Sequence, residues 1–258
     1  MELTREENKL YIENVSKSYK MGKKDMHKVI DNLSLAVEDN EFLVILGPGH
    51  CGKSVLLNII SGLEYPDEGR VVLDGVNIEG PNPKMGMVFQ KTGVFSWLTV
   101  MENVELGPKN RGVPKDARRE KAQKYIDLVG LQGFENARPP QLSGGMKQRV
   151  GIARAYTNDP EILIMDEPFG ALDAQTRYSM EEEIEKIWSQ EKRTIIFVTN
   201  NIEEALMLGD RIILLTECPA RVKKEYAVDI SRPRDMMSPD FLALRQEISA
   251  NTDLSIES

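Results

Sequence analysis

Five consecutive apolar residues, Phe42-Leu43-Val44-Ile45-Leu46, lead into a loop with three glycines, and that loop leads into Ser54-Val55-Leu56-Leu57-Asn58-Ile59-Ile60. An unbroken apolar run of this length predicts a strand covered on both faces, as in a parallel sheet with helices on each side. The stretch after the loop predicts a helix, stopped by Ser61-Gly62. The loop itself, Gly47-Pro48-Gly49-His50-Cys51-Gly52-Lys53-Ser54, fits the spacing G-x-x-x-x-G-K-[ST]. Its glycines let successive backbone N–H groups turn inward on phosphate oxygens. The helix start adds partial positive charge at the same place. Lys53 is expected to reach the outer phosphates of a nucleotide, and the Ser54 hydroxyl to take a place on Mg²⁺.

The rest of the chain supplies the matching architecture. Leu10-Tyr11-Ile12 and Leu33-Ser34-Leu35-Ala36-Val37 read as short strands, with an exposed turn at Met21-Gly22-Lys23-Lys24-Asp25 between them. Val71-Val72-Leu73 runs into Asp74-Gly75, a hairpin-type turn. From about Lys91 to Thr157 strand signals fade, and Ala122, Tyr125, Ile126 and Val129 fall at helical spacing. That segment reads as a mainly helical subdomain. Strand runs return at Ile162–Met165, Thr194–Val198 and Arg211–Leu215, with a helix presenting Met180, Ile184, Ile187 and Trp188 between the first two. Strands alternating with helices predict a largely parallel sheet. From about Ser231 the chain reads as a tail or small appendage, with a short amphipathic piece around Phe241, Leu242, Leu244 and Ile248.

Bulk properties narrow the function classes. A length of 258 residues suits one core with a smaller subdomain. Net charge is −8, with 33 Lys and Arg against 41 Asp and Glu. An acidic chain is a poor nucleic-acid binder, because phosphate neutralisation needs a basic surface. The longest apolar runs are strand-sized rather than membrane-spanning. The opening residues Met1-Glu2-Leu3-Thr4-Arg5-Glu6-Glu7-Asn8 are charged and lack the apolar core of a signal peptide. Two distant cysteines, Cys51 and Cys218, give no disulfide framework and fit a reducing cytosol.

Two further motifs bear on chemistry. Ile162-Leu163-Ile164-Met165 delivers Asp166-Glu167 at the C-terminal end of a strand, where ligands of open parallel sheets sit. Adjacent buried acids are costly without a cation. Asp166 is expected in the Mg²⁺ shell and Glu167 beside the attacking water. Standing alone, the pair could equally be a solvated strand end. Leu142-Ser143-Gly144-Gly145-Met146-Lys147-Gln148-Arg149 places a second glycine pair at a helix start, a second anion site by the same physics.

That last segment resembles the LSGGQ-type signature of ATP-binding cassette (ABC) proteins. Other motifs follow in the family's order. Gln90, in Met87-Val88-Phe89-Gln90, is similar to the Q-loop glutamine, with an implied role at the metal and in catalysis. Asp166-Glu167 is similar to the Walker B pair, and Ala171-Leu172-Asp173 to the D-loop, which implies that Asp173 borders the nucleotide. Tyr19, in Val15-Ser16-Lys17-Ser18-Tyr19, sits where the family places an aromatic on adenine.

The resemblance implies an α/β P-loop NTPase (RecA-like) fold with a mostly parallel sheet, an N-terminal antiparallel β subdomain and an inserted α-helical subdomain. It implies one ABC ATPase domain over 1–258: a core of 8–90 and 158–230, a signature subdomain of 91–157 and a tail of 231–258. It also implies a head-to-tail pair of cassettes, identical or paralogous. Each ATP would lie between the Gly47–Ser54 loop of one and Ser143, Gly144 and Gly145 of the other. Expected cofactors are ATP and Mg²⁺. Expected partners are a transmembrane permease, a second ATPase subunit and, indirectly, an extracytoplasmic solute-binding protein, with no nucleic acid. The expected location is peripheral, on the cytoplasmic face of the membrane. Phe95-Ser96-Trp97-Leu98-Thr99-Val100-Met101-Glu102-Asn103-Val104 is similar to the "PWLTVxDNV" stretch of nitrate, sulfonate and taurine importer ATPases. The tail Ser231-Arg232-Pro233-Arg234, followed by Phe241 and Arg245-Gln246-Glu247-Ile248, is similar too.

Two stretches depart from the family's pattern. Asn200 stands where the family has its switch histidine, and Asn201 follows it. Asparagine donates a hydrogen bond but neither carries charge nor relays a proton. Either hydrolysis is slowed or Asn200 positions the water adequately. Slowed hydrolysis leaves open an alternative function, a nucleotide-binding regulatory cassette. Asn201 suits a helix cap. Gly49-His50 replaces the family's usual Ser-Gly, and His50 is either a tolerated loop residue or a phosphate or metal ligand. Cys51, inside the loop, is either a thiol activated by the helix start or a small filler.

Overall fold

The computed structural model describes residues 8–22, 25–91, 93–170 and 172–252. Lys23 and Lys24 of the expected turn, Ala171 of Ala171-Leu172-Asp173 and Met1–Glu7 at the start lie outside the described residues. The chain divides into two compact units, the second running over Pro83–Lys192 and the first comprising what lies before and after it.

The first unit opens with two long strands, β1 (Leu10–Met21) and β2 (Asp25–Val37), then β3 (Phe42–Leu46), helix α1 (Lys53–Ile60), β4 (Glu68–Leu73) and β5 (Val76–Asn77). Strands β2, β1, β4 and β5 form an antiparallel sheet in that order. Its register pairs Leu10 with both Val37 and Leu73, and Ile12 with both Leu35 and Val71. All six side chains are buried. Cross-strand apolar pairs of this kind are the unit of sheet stability. Both β1 and β2 are longer than the short runs expected from their apolar cores, and the extra length mixes buried Val15 and Ile30 with mostly polar, more exposed neighbours. The β4–β5 connection is Asp74-Gly75, both at positive φ (48° and 76°), as a two-residue hairpin turn demands.

The second unit holds β6 (Met85–Val88), α2 (Val100–Val104), α3 (Leu106–Asn110), α4 (Lys115–Leu128), α5 (Gly144–Thr157), β7 (Ile162–Asp166) and α6 (Ala174–Gln190). Strands β6 and β7 pair in parallel, Met85 with Ile162 through Val88 with Met165. Ala122, Tyr125, Ile126 and Val129 are buried in and just after α4, as are Met180, Ile184, Ile187 and Trp188 in α6. A full capping box opens α2: Thr99 accepts from the Glu102 N–H, and Glu102 accepts from the Thr99 N–H at 2.8 Å. Asn103, fully buried, accepts from the Phe95 N–H and donates to the Thr99 carbonyl, so it folds the Phe95–Thr99 turn onto the helix.

The first unit resumes with β8 (Thr194–Thr199), α7 (Ile202–Leu208), β9 (Arg211–Leu215), β10 (Val222–Ala227) and α8 (Pro239–Asn251). Here β3 lies between β8 and β9, parallel to both, and β10 adds antiparallel to β9. Every residue of β3 and β8 is buried.

The tail is a docked part of this unit. Phe241 and Ile248 of α8 are buried. Arg232 pairs with Asp210, whose other oxygen accepts from the Phe42 N–H at 2.9 Å, so the tail holds the start of β3. Arg234 is 6% exposed and hydrogen-bonds the carbonyls of Leu206 and Gly209, each at 2.7 Å, and of Ile230 at 3.0 Å. These include carbonyls that a helix end leaves without partners. Arg234→Ala is therefore expected to cost about 3 kcal/mol of stability, read as a lower urea midpoint. A midpoint within error of the parent would remove this capping role.

Candidate functional site

The phosphate loop begins where β3 ends. Strand pairing to β8 and β9 fixes that end, and Gly47 N–H continues the ladder to the Thr199 carbonyl at 3.4 Å. The loop then turns tightly, with His50 at φ 59° and Gly52 at φ 109°. Gly52 cannot be replaced simply: a Cβ there would lie 2.8 Å from Val29 Cγ1 and 3.1 Å from the Val29 carbonyl. Helix α1 starts immediately after Gly52 with no side-chain cap and no acidic residue in its first turn. Its leading N–H groups and dipole thus face the loop with no acid of the helix's own first turn to offset them. Lys53 is 4% exposed, and its ammonium donates to the Gly47 and Pro48 carbonyls at 2.9 and 2.8 Å. The cation is held directly over the loop. Ser54 is exposed on the first turn.

The two unusual loop residues separate clearly. His50 is exposed at the loop tip. Cys51 is 1% exposed, and burial pushes its thiol pKa up. A buried, protonated thiol is a poor nucleophile, so the filler reading of Cys51 fits the structure better than the activated one.

Tyr19, near the end of β1, is 37% exposed. Its hydroxyl donates to Glu64 at 2.5 Å, and the Lys17 ammonium lies 5.6 Å from its ring centroid. Lys17 in turn pairs with Asp67 at 3.2 Å. Burial and then the Glu64 bond hold the phenol well above its ordinary pKa, so the ring stays neutral and its orientation is set by the acid. Glu64 was not legible as a partner of Tyr19, since the two are separated by 45 positions.

Across the same unit, Asn200 follows β8, exposed. Asn201 caps α7, its side-chain oxygen accepting from the Glu203 and Glu204 N–H groups at 2.7 and 3.2 Å. Thr199 tightens the turn by donating to Glu204 at 2.6 Å and accepting from the Asn201 N–H at 3.0 Å. The first asparagine is thus left presented by a rigid turn.

The second unit carries the acidic motif. Asp166 ends β7, half-buried, and Glu167 follows in the left-handed region at φ 41°. Non-glycine residues rarely adopt that region, and strain of this kind clusters at functional sites. The Gln90 amide, two residues beyond β6, donates to the Glu167 carboxylate at 3.4 Å. The parallel pairing of β6 with β7 brings these two side chains together. Within this unit Asp166 offers a carboxylate, a hard oxygen donor of the kind that suits Mg²⁺.

The glycine pair opens α5 in the same unit. Ser143 is the N-cap, its hydroxyl accepting from the Met146 N–H at 3.2 Å. The two glycines differ. A Cβ on Gly145 would meet Thr176 Cγ2 at 2.7 Å, so α6 requires that glycine. A Cβ on Gly144 would meet nothing within 4 Å, so no part of the described chain requires it. Asp173 caps α6, accepting from the Thr176 N–H at 3.0 Å and from its hydroxyl at 2.8 Å. Those bonds, the backbone one first, lower its carboxyl pKa.

Comparison with known proteins shows the family. A family model described as ABC transporter matches residues 30–170. An uncharacterized ABC transporter ATP-binding protein of Methanocaldococcus jannaschii is 50% identical over 240 residues, which cover 93% of this chain and 90% of that protein. The taurine import ATP-binding protein TauB of Roseobacter denitrificans is 41% identical over 246 residues, covering 93% and 92%. The aliphatic sulfonates import ATP-binding protein SsuB of Bacillus thuringiensis subsp. konkukian is 41% identical over 223 residues, covering 86% and 87%. A dimeric bacterial ABC transporter cassette superposes with a TM-score of 0.75 at 35% identity, over 85% of this chain and 98% of that one. A second structure, a dimeric post-hydrolysis state bound to ADP and Pi, gives 0.74 at 34% identity, over the same shares. A glycine loop tied to a buried lysine and a capped glycine pair on a separate helix, in a chain matched this fully, have one family in common: the chain belongs to the ABC transporter family, as one of its ATP-binding cassettes.

Proposed function

We propose that this cassette hydrolyses ATP to energise import of a small solute, of the sulfonate or similar small-anion class, through a separate membrane permease. The observation that carries the import reading is the 41% identity, over 93% and 86% of the chain, to import ATP-binding proteins for taurine and for aliphatic sulfonates. These relatives support a motor role over a regulatory one. Among the described residues, no helix is long and apolar enough to cross a membrane, in keeping with a peripheral place on the cytoplasmic face.

In this reading Gly47–Ser54 wraps the triphosphate, Lys53 neutralises its outer phosphates, and Tyr19 offers its ring to adenine. Mg²⁺, when bound, would supply positive charge to offset the negative charge that develops in phosphoryl transfer. Ser54, Asp166 and Gln90 are the residues to hold it. Glu167 accepts hydrogen bonding from the attacking water, and Gln90 and Asn200 orient it. Ser143, Gly144 and Asp173 belong to the face that meets a second cassette's nucleotide. Trp97 is 66% exposed and tilts against Phe95 at 5.2 Å, with Phe89 43% exposed. This aromatic surface of the second unit suits a helix of the permease, with a solute-binding protein feeding the permease from outside.

The test is tagged purification from native membranes, followed by turnover of the isolated complex. The expected result is a co-purifying multi-spanning protein and ATPase activity that rises with solute. Recovery without any membrane protein overturns the transport reading. Asn200→His, measured in the same complex, is expected to raise turnover about ten-fold if proton relay limits the rate. No gain assigns the positioning to Asn200 as it stands.

A further inference from the structure

Outside the nucleotide motifs, one side-chain cluster pairs a nucleophile with a base. Cys218, in the turn between β9 and β10, lies with its Sγ 3.3 Å from His27 Nε2 and 3.5 Å from the Lys28 carbonyl, both on β2. It is partly exposed, unlike Cys51. The turn it belongs to is stitched to β2. The Ala220 N–H donates to the Val29 carbonyl at 2.8 Å, and the Asp31 N–H donates to the Ala220 carbonyl at 3.1 Å. The Arg221 guanidinium closes the far side on Asp31 at 2.8 Å.

This seam is the floor of the phosphate loop. The position where Gly52 would carry a Cβ faces Val29 Cγ1 at 2.8 Å and Ala220 Cβ at 3.7 Å. Ala220 is fully buried there. Any group that parts β2 from the 216–221 turn at Cys218 therefore disturbs the surface on which Gly52 and the start of α1 rest.

We propose that Cys218 is a thiol-modification site, served by His27, that accepts a mixed disulfide from a low-molecular-weight disulfide and so weakens nucleotide binding at the adjoining loop. In the step, the Cys218 proton passes to His27 Nε2 and the sulfur attacks one sulfur of the reagent. A Cys218–S bond forms as the reagent's S–S bond breaks. The departing thiolate takes the electron pair and then the proton from the imidazolium. The protein thiol is oxidised and half of the reagent is reduced, so no other oxidant is needed. The adduct adds its bulk beside His27 and Lys28, on the turn whose Ala220 packs beneath Gly52.

The inference rests on the nucleotide reading only for its consequence, and the assay separates the two. The full-length protein is incubated with oxidised glutathione, digested without reduction and read by mass, while affinity for a fluorescent ATP analogue is measured before and after. The expected result is one glutathione on the Cys218 peptide, none on Cys51, and a Kd raised about ten-fold that dithiothreitol restores. Cys218→Ser should keep the untreated Kd and lose the response. His27→Ala should slow adduct formation about ten-fold. Modification of Cys51 instead, an adduct that leaves Kd unchanged, or His27→Ala reacting at the parent's rate would each overturn the proposal. Untreated protein that binds no nucleotide would instead sink the cassette's proposed chemistry, while the mass still decides the thiol.

Discussion

Lys53→Ala is expected to raise the Kd for MgATP by roughly a hundred-fold, about 3 kcal/mol, because removing a buried cation leaves phosphate charge uncompensated. Two features make the effect large. The side chain is almost fully buried against the loop, so no water replaces it cheaply. Its ammonium also ties the Gly47 and Pro48 carbonyls together, so alanine releases the loop as well as the charge. Lys53→Arg should not rescue binding, since a broad planar guanidinium does not fit the compact place that the ammonium fills against the Gly47 and Pro48 carbonyls. Titration calorimetry checks both, with thermal melting to show that the variants fold. Parent-like affinity in Lys53→Ala would mean that the loop does not hold the triphosphate.

Glu167→Gln is expected to lower turnover by about 10²- to 10⁴-fold, the usual contribution of a positioned base, while leaving ATP affinity within about three-fold. The substitution keeps the shape of the side chain and its contact with Gln90, whose amide already donates to that position. What it removes is the ability to take a proton. With hydrolysis blocked, ATP persists, and the cassette should accumulate as a dimer closed over two nucleotides. Light scattering in MgATP reads this directly, the parent returning to monomer as ATP is consumed. A Glu167→Gln protein that turns over normally would strip Glu167 of its role. One that binds MgATP yet stays monomeric would leave the Ser143–Gly144 face without the nucleotide assigned to it.

How much of this was legible beforehand depends on the range of the signal. The strand-loop-helix of Phe42–Ile60 and the acids after Met165 were readable because burial on two faces, glycine spacing and chain order are local properties. The helix faces of Ala122 to Val129 and Met180 to Trp188 were readable for the same reason. Strand β10 was not. Val222-Lys223-Lys224-Glu225-Tyr226-Ala227 is mostly exposed and charged, and it is a strand because β9 offers it an edge. Strand β6, four residues with a glycine, gains its form from pairing with β7. Arg234 read as a family-like tail residue, whereas its work is to satisfy carbonyls at the end of α7.

Residue order alone placed the glycine loop after one strand and the acids after another, and put Asn200 where the resembled family has a histidine, since each is written in a few neighbouring positions. Folding settled the rest. It put Glu64 against Tyr19, Thr176 against Gly145, and His27 against Cys218, the last pair 191 positions apart. Such partners are chosen by strand register and helix packing, and a contact made by closing a long loop leaves no periodic trace along the chain that makes it.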